Sequence, residues 1–309
     1  MDQVTEGDVC AAIARVLPGH RLVRWHLLGT GVSAQVVGVE TQFSADVVHR
    51  HALRMEQDDG AAVDAIIDHG LLNYLYTQGL PVPRCSATTQ VDDYHVTVMD
   101  WIAGEAGEKV ADVAGAAIAA ADVLFELHQT SLHDLSLHVS DPLPHYVFDY
   151  SMIPLERLNS SEFEKFAEFA QSYQPKEQCR ALLHGDFWPG NLLYENEHLS
   201  GLVDWRDACI GDPLADLANA RYEIAWLWGE VAMDAFTERY WMCADQDHRY
   251  VRAPDEAGYR AAIPAWDLHA VLKPLRRMHL WGLNEVELKD LRATVDGIVQ
   301  RATIALAGL

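Results

Sequence analysis

The sequence predicts an α+β fold in two parts: a small β-sheet lobe with one main helix over residues 1–101, then a larger, mainly helical lobe over residues 102–309. Three observations predict it. Short strand-like runs separated by glycine and polar turns crowd the first hundred residues. From Ala61 to Thr77 the apolar spacing becomes helical. After "IAGE" the composition turns alanine-rich, and most later segments carry a helical period.

Taken in order, "DVCAAIARVL" has helical spacing, with Val9, Ile13 and Val16 near one face. "VRWHLL", "SAQVVGVE" and "VVHRHALRM" read as strands, the last two separated by a polar "TQFSAD" connection. Val63, Ile66, Ile67, Leu71, Tyr74 and Leu75 mark the following helix, which "GLPVPR" must end. "CSATTQ", a "VDD" turn and "YHVTVMDW" form a hairpin. Val110 to Leu127 is a helix, and "RYEIAWLWGEVAMDAF" and "TERYWM" are aromatic helical segments. The last helix opens with "NEVE", a capping box of Asn284 and Glu287.

Acidic residues outnumber basic ones 46 to 23, a net charge of −23. Such a chain repels nucleic acid and anionic membrane and attracts cations. Five cysteines with wide spacings and no C-x-x-C pair fit reduced thiols rather than a disulfide or zinc framework. The N-terminus lacks a signal core, and no apolar run reaches the roughly 20 residues that span a bilayer. The expected location is the cytoplasm, as a monomer or homodimer.

The chemistry concentrates in "LLHGDFWPGNLLYENEHLSGLVDWRDACIGDPLADLA", residues 182–218. "ALLHG" is a strand that stops at a glycine. "DFWPGN" is a turn, and "LLYE" and "LSGLVDW" flank a second turn. Asp186 and Asp204 therefore stand where strands end, exposed yet rigidly placed. Asn191 is five positions after Asp186, and Asp204 thirteen after Asn191. Phosphoryl transfer needs a carboxylate to orient or deprotonate an attacking hydroxyl, and hard oxygen ligands for Mg²⁺ on the nucleotide phosphates. An Asp-x₄-Asn loop followed by a further aspartate offers both.

"HGDFWPGNLL", "GLVDW" and "GDPLADLA" together resemble the aminoglycoside phosphotransferase family, whose fold is protein-kinase-like. The resemblance is sharp over about forty residues. It departs from protein kinases at Gly185, which stands where their catalytic loop has arginine, and at Trp205 and Arg206, which stand where they have Phe-Gly. The resemblance implies a bilobal kinase-like fold, Mg²⁺ and ATP or GTP as cofactors, and roles by position. Asp186 would be the catalytic base, Asn191 and Asp204 the Mg²⁺ ligands, and His184 a structural support. Asp212 would accept hydrogen bonds from the catalytic-loop backbone, and Asp216 would do the same or cap its helix.

In the N-terminal lobe it makes "LLGTGVSAQVV", with Gly29, Gly31 and Ser33, the nucleotide-positioning loop. Arg54 takes the place of the phosphate-binding lysine, with His49, Arg50 and His51 as competitors. Its carboxylate partner falls at Asp68, with Asp64 as the alternative. The backbone of Asp100, Trp101 and Ile102 would meet the nucleobase.

The acceptor is a small molecule, held by the C-terminal helices. Asp207, Glu223, Glu230, Asp234 and Glu238 are candidate lining residues, and their charge suits a polycationic aminoglycoside. Trp226, Trp228, Tyr240 and Trp241 would pack the core or bind a flatter acceptor such as a macrolide. The leading reading is an antibiotic kinase. The alternatives are a metabolic kinase for a sugar, an amino alcohol or a fructosamine-like adduct, and a catalytically silent kinase-like binding protein.

Overall fold

A computed structural model describes residues 3–30, 34–44, 47–57, 63–139, 142–146, 175–246, 256–278 and 281–307. The chain divides into two compact units. One comprises Met1–Gly104, Ser131–Leu143 and Ser200–Arg206; the other comprises Glu105–Thr130, Pro144–Leu199 and Asp207–Leu309.

The first unit is built on an antiparallel five-stranded sheet of order β1-β2-β3-β5-β4. The strands are β1 (Arg21–Thr30), β2 (Ala34–Ser44), β3 (Val47–Gln57), β4 (Cys85–Val91) and β5 (Tyr94–Asp100). Alternation puts Val37 and Val39, Leu53 and Met55, and Val96 and Val98 on one face. There they meet Val9, Ala12 and Ile13 of α1 (Glu6–Val16) in one buried cluster. Each such side chain contributes roughly 1.5–3 kcal/mol by leaving water. Helix α1 starts at a capping box of Thr5 and Asp8, and α2 spans Val63–Thr77.

The polar "TQFSAD" stretch is not simply a connection. β2 runs on through Ser44, paired in register Thr41↔His49 and Gln42↔Val48, with an irregularity before Ser44↔Val47. The hydrogen-bond ladder to β3 carries the strand past residues whose polarity reads as a turn. Thr41 is fully buried, and its hydroxyl meets His20 Nδ1 at 2.9 Å. Gly38 leaves room for a ring: an added Cβ would lie 2.5 Å from the Trp101 indole.

In the second unit, β6 (Glu105–Ala106) pairs with β8 (Leu192–Glu195), and β7 (Ala181–Leu183) pairs with β10 (Cys209–Gly211). Asn196 and Glu197, both with positive φ, make the two-residue turn from β8 to β9 (His198–Leu202). Helix α3 (Val113–His128) is capped by Asp112. It packs on the Glu230–Gln246 helix through Phe125 against Tyr240 (5.8 Å) and an Asp122–Arg239 pair (2.6 Å). The Pro213–Leu227 helix begins with Asp212 as N-cap and Pro213 at its first turn. Short helices Glu256–Ala261, Ile263–Ala270 and Leu272–Arg277 follow, then the 23-residue Glu285–Ala307 helix. Among the described residues no helix is long and apolar enough to cross a membrane.

The "NEVE" capping box is present. Asn284 Oδ1 accepts from Glu287 N at 3.0 Å, and Glu287 Oε2 accepts from Asn284 N at 2.8 Å. Asn284→Ala should cost about 1 kcal/mol of stability, read as a lower urea midpoint at unchanged slope. An unchanged midpoint would show that the last helix does not depend on its cap.

Candidate active site

The site is built around the end of β7. His184 follows the strand and is fully buried. Gly185 then turns the chain with φ +80, and an added Cβ there would collide with the Asp207 carbonyl. The position therefore excludes any side chain, arginine included. Asp186 comes next. Its N–H donates to His184 Nδ1 at 3.3 Å, so the histidine ring braces the loop from inside. Pro189 to Asn191 form one turn of 3₁₀ helix.

Asn191 is buried and closes this loop on itself. Its Nδ2 donates to the Asp186 carbonyl at 2.9 Å and to Asp186 Oδ2 at 3.3 Å. Both bonds use the amide nitrogen, so the amide oxygen is left as a hard donor for a cation. Asp204 belongs to the other unit. It is exposed and held at φ +62, a left-handed conformation that aspartate tolerates better than most residues. The next residue anchors it: Trp205 is buried and its indole N–H donates to Leu202 O at 3.0 Å. Amide and carboxylate oxygens are each hard donors of the kind that Mg²⁺ takes.

Two aspartates share the architectural work: Asp216 takes the first of its two implied roles, and Asp212 holds a different segment from the one implied. Asp216 holds the catalytic loop: its carboxylate accepts from His184 N at 2.6 Å and Gly185 N at 2.9 Å. Asp212 instead caps its helix through Leu214 N at 3.0 Å. It also binds Gln178 N (2.8 Å), Cys179 N (3.2 Å) and the Tyr259 hydroxyl (2.8 Å). The reason is geometric. Asp216 lies one turn further along the helix and reaches the end of β7, whereas Asp212 reaches the segment that leads into it.

Two residues without a motif join Asp186. Lys273 donates its ammonium to Asp186 Oδ1 and lies 3.4 Å from Asn219 Oδ1. Asn219 Nδ2 in turn donates to the Phe187 carbonyl at 3.0 Å. Burial would raise the Asp186 pKa, but the Lys273 ammonium, His184 and the Asn191 bond together hold it below the usual carboxylate value. Lys273 is itself pushed up: desolvation opposes its charge, and Asp186 and Glu223 outweigh that. The only sequence signal for Lys273 is its place in the apolar run "HAVLKPL".

The proposed acceptor residues separate. Glu223 is buried one turn after Asn219 and accepts from the Tyr222 hydroxyl at 2.5 Å. Burial raises its pKa to about 7, against the partial opposition of Lys273. Asp207 is exposed. Glu230 is also exposed and pairs with Arg301 at 3.5 Å, sharing no partner with the Asp186 group. Three of the four aromatic residues pack internally. The Trp228 indole donates to Gly107 O at 2.9 Å, the Tyr240 hydroxyl meets His128 at 2.7 Å, and Trp241 stacks edge-on to Tyr259 beneath Arg260.

In the first unit, Gly29 lies in β1 opposite Val36 at a register shift, with open space where a Cβ would be. Gly31, Ser33 and the side chains of Asp64 and Asp68 lie outside the described residues. Arg54 is buried and pairs with Glu56 at 3.3 Å, two positions on along the same strand. Arg50 is turned outward, paired with Glu40 at 3.2 Å. At the end of β5, Asp100 N donates to Arg84 O at 2.9 Å, and Trp101 packs edge-on to His26. Ile102 sits against Gly201.

Residues 25–261 match the sequence profile of a family described as the phosphotransferase enzyme family. The chain belongs to that family. A hygromycin-B 4-O-kinase of Escherichia coli is 24% identical to this phosphotransferase-family chain over 131 residues, which cover 42% of the chain and 33% of the kinase. A homoserine kinase of Beijerinckia indica is 26% identical over 162 residues, covering 48% of the chain and 50% of that enzyme. The chain thus aligns with half or less of the length of these two relatives. A solved amicoumacin kinase, in complex with AMP-PNP, Ca²⁺ and its antibiotic, superposes with a TM-score of 0.68 at 15% identity. It covers 96% of this chain and 94% of its own. The fold is that of these kinase-like phosphotransferases.

Glu223 gives a pH signature. Its folded pKa of about 7 lies above the ordinary 4.5. Its contribution is therefore fully present below pH about 4.5 and lost as pH rises through about 7. Wild type should lose about 3 kcal/mol relative to Glu223→Gln across that window, measured by urea unfolding at a series of pH values. A pH-independent difference would mean that Glu223 ionises normally.

Proposed function

We propose that this protein transfers the γ-phosphate of a nucleoside triphosphate, ATP or GTP, to a hydroxyl of a small molecule, with Mg²⁺. The observation that carries the reading is the closed loop from Asp186 to Asn191. It presents a carboxylate at its mouth, braced by His184 below and Asn191 beside it. Asp186 receives the acceptor hydroxyl as hydrogen-bond donor and takes its proton as the oxygen attacks phosphorus. Asn191 and Asp204 are the residues that would hold the metal, and bound there it would neutralise charge on the phosphates. In the other unit, Arg54 is the phosphate contact. The backbone of Asp100, Trp101 and Ile102 supplies the edge for the nucleobase, the Asp100 N–H being already used by Arg84 O.

The acceptor read first is an aminoglycoside. The net charge of −23 favours a cationic ligand, and the matched hygromycin kinase acts on a drug of that kind. A second reading, an amino-alcohol acceptor, is favoured by the match to the homoserine kinase. Nucleotide consumption with a panel of aminoglycosides, macrolides, sugars and homoserine decides between them. Turnover with homoserine alone would remove the antibiotic reading, and nucleotide binding without turnover for any acceptor would make the protein a silent scaffold.

Asp186→Ala should lower kcat by roughly 10²–10⁴-fold while sparing nucleotide affinity. An active variant would mean that another group is the base. Asn191→Ala should raise the Mg²⁺ concentration needed for half-maximal rate, and an unchanged metal titration would remove it as a ligand.

A further inference from the structure

Lys273 is the second residue of a six-residue helix, Leu272–Arg277, and its neighbours Val271, Leu272 and Pro274 are buried. A lysine in an apolar segment ordinarily bends its ammonium out to water. Lys273 does the opposite and reaches across the unit to Asp186 Oδ1, 87 positions away in sequence. Asp186 Oδ2 is taken by Asn191 Nδ2 at 3.3 Å. The two carboxylate oxygens are thus gripped from opposite partners, one charged and one neutral. The same ammonium lies 3.4 Å from Asn219 Oδ1, and Asn219 holds the carbonyl of Phe187, the residue after Asp186. The side chain and the backbone of the loop are therefore tied to one cation. No cation occurs within the loop "DFWPGN" itself.

We propose that Lys273 is a positioning residue for phosphoryl transfer: with Asn191 it clamps the Asp186 carboxylate in one orientation, and it offsets the repulsion between that carboxylate and the incoming phosphate oxygens. This rests on the kinase reading above. In the step, the bond from acceptor oxygen to γ-phosphorus forms as the bond from that phosphorus to the β–γ bridging oxygen breaks. The electron pair leaves on the nucleoside diphosphate, and the acceptor proton passes to Asp186. Lys273 neither gives nor takes a proton. A carboxylate held this way loses no rotamer freedom on reaching the transition state, so its loss should fall on kcat rather than on nucleotide binding.

The test is a double-mutant cycle of Lys273→Met with Asp186→Asn, with Lys273→Arg as the charge-conserving variant. Kinetics use MgATP with the acceptor that the panel identifies, or hydrolysis of MgATP by water where no acceptor turns over. Lys273→Met should lower kcat about 10²-fold with KM for ATP within about 2-fold, and Lys273→Arg should recover at least about 10-fold of that loss. In the Asp186→Asn background, Lys273→Met should change kcat by less than about 3-fold. An inactive Asp186→Asn beside an unimpaired Lys273→Met overturns the role of Lys273 alone, a fully active Asp186→Asn removes Asp186 as the base and the proposal with it, and a wild type that passes phosphate to neither an acceptor nor water overturns the kinase reading.

Thermal unfolding of the same four proteins tests the contact without any substrate. The Tm loss from Lys273→Met should be about 2–4 °C smaller when Asp186 is already Asn. Additive losses would show that the pair is not made. If Lys273→Met does not fold, the Lys273→Gln and Lys273→Arg proteins carry the same comparison, and equal kcat in those two would overturn the proposal.

Discussion

Two backbone N–H groups, those of His184 and Gly185, donate to the carboxylate of Asp216, which is itself 2% exposed. Everything the loop does follows from that anchorage. Buried donors without an acceptor would each cost on the order of 1–3 kcal/mol, so the end of β7 is secured only with Asp216 in place. Gly185 then turns in the left-handed region against the Asp207 carbonyl, and the turn delivers Asp186 to the surface of the unit. The Pro213–Leu227 helix carries the arrangement. Within its first turns it places Asp212 on the segment before β7, Asp216 on the segment after it, and Asn219 on the Phe187 carbonyl. One helix thus holds three successive points of the chain that bears the candidate base.

Electrostatics around Asp186 are assembled against the trend of the chain. In a protein of net charge −23, a lysine is drawn inward to the candidate base. Beside it, burial raises the Glu223 pKa to about 7. A half-buried cation is tolerated best with counter-charges and acceptors around it, and Lys273 has Asp186 and Asn219 in contact and Glu223 within electrostatic range. The cluster therefore tunes its members mutually: the ammonium keeps Asp186 ionised, and the surrounding carboxyls keep the ammonium protonated.

Much of the fold was readable from local pattern. Alternation located β1 to β5 because one face of the sheet is buried against α1. Glycine and proline located the loop ends, and the Asn284–Glu287 box located the start of the last helix. The error at "TQFSAD" has the complementary cause: residues polar enough for a turn were kept in β2 by pairing with β3. The architectural roles of Asp212 and Asp216 could not be told apart in sequence, since both lie in "GDPLAD" at the head of one helix. Only the position of β7 against that helix separates them. Arg54 has one partner in Glu56, two residues away on its own strand, a pairing that the alternation along β3 did not single out.

The sequence by itself determined the short-range chemistry: a carboxylate and an amide five residues apart on a loop bent by Pro189 and Gly190. These are consequences of backbone conformation over a few residues, which neighbouring residues dictate. Tertiary structure alone decided the charge environment. Lys273 reaches Asp186 across 87 positions, and Asn219 reaches Phe187 across 32. No local pattern encodes such contacts, because they exist only once the helices have packed.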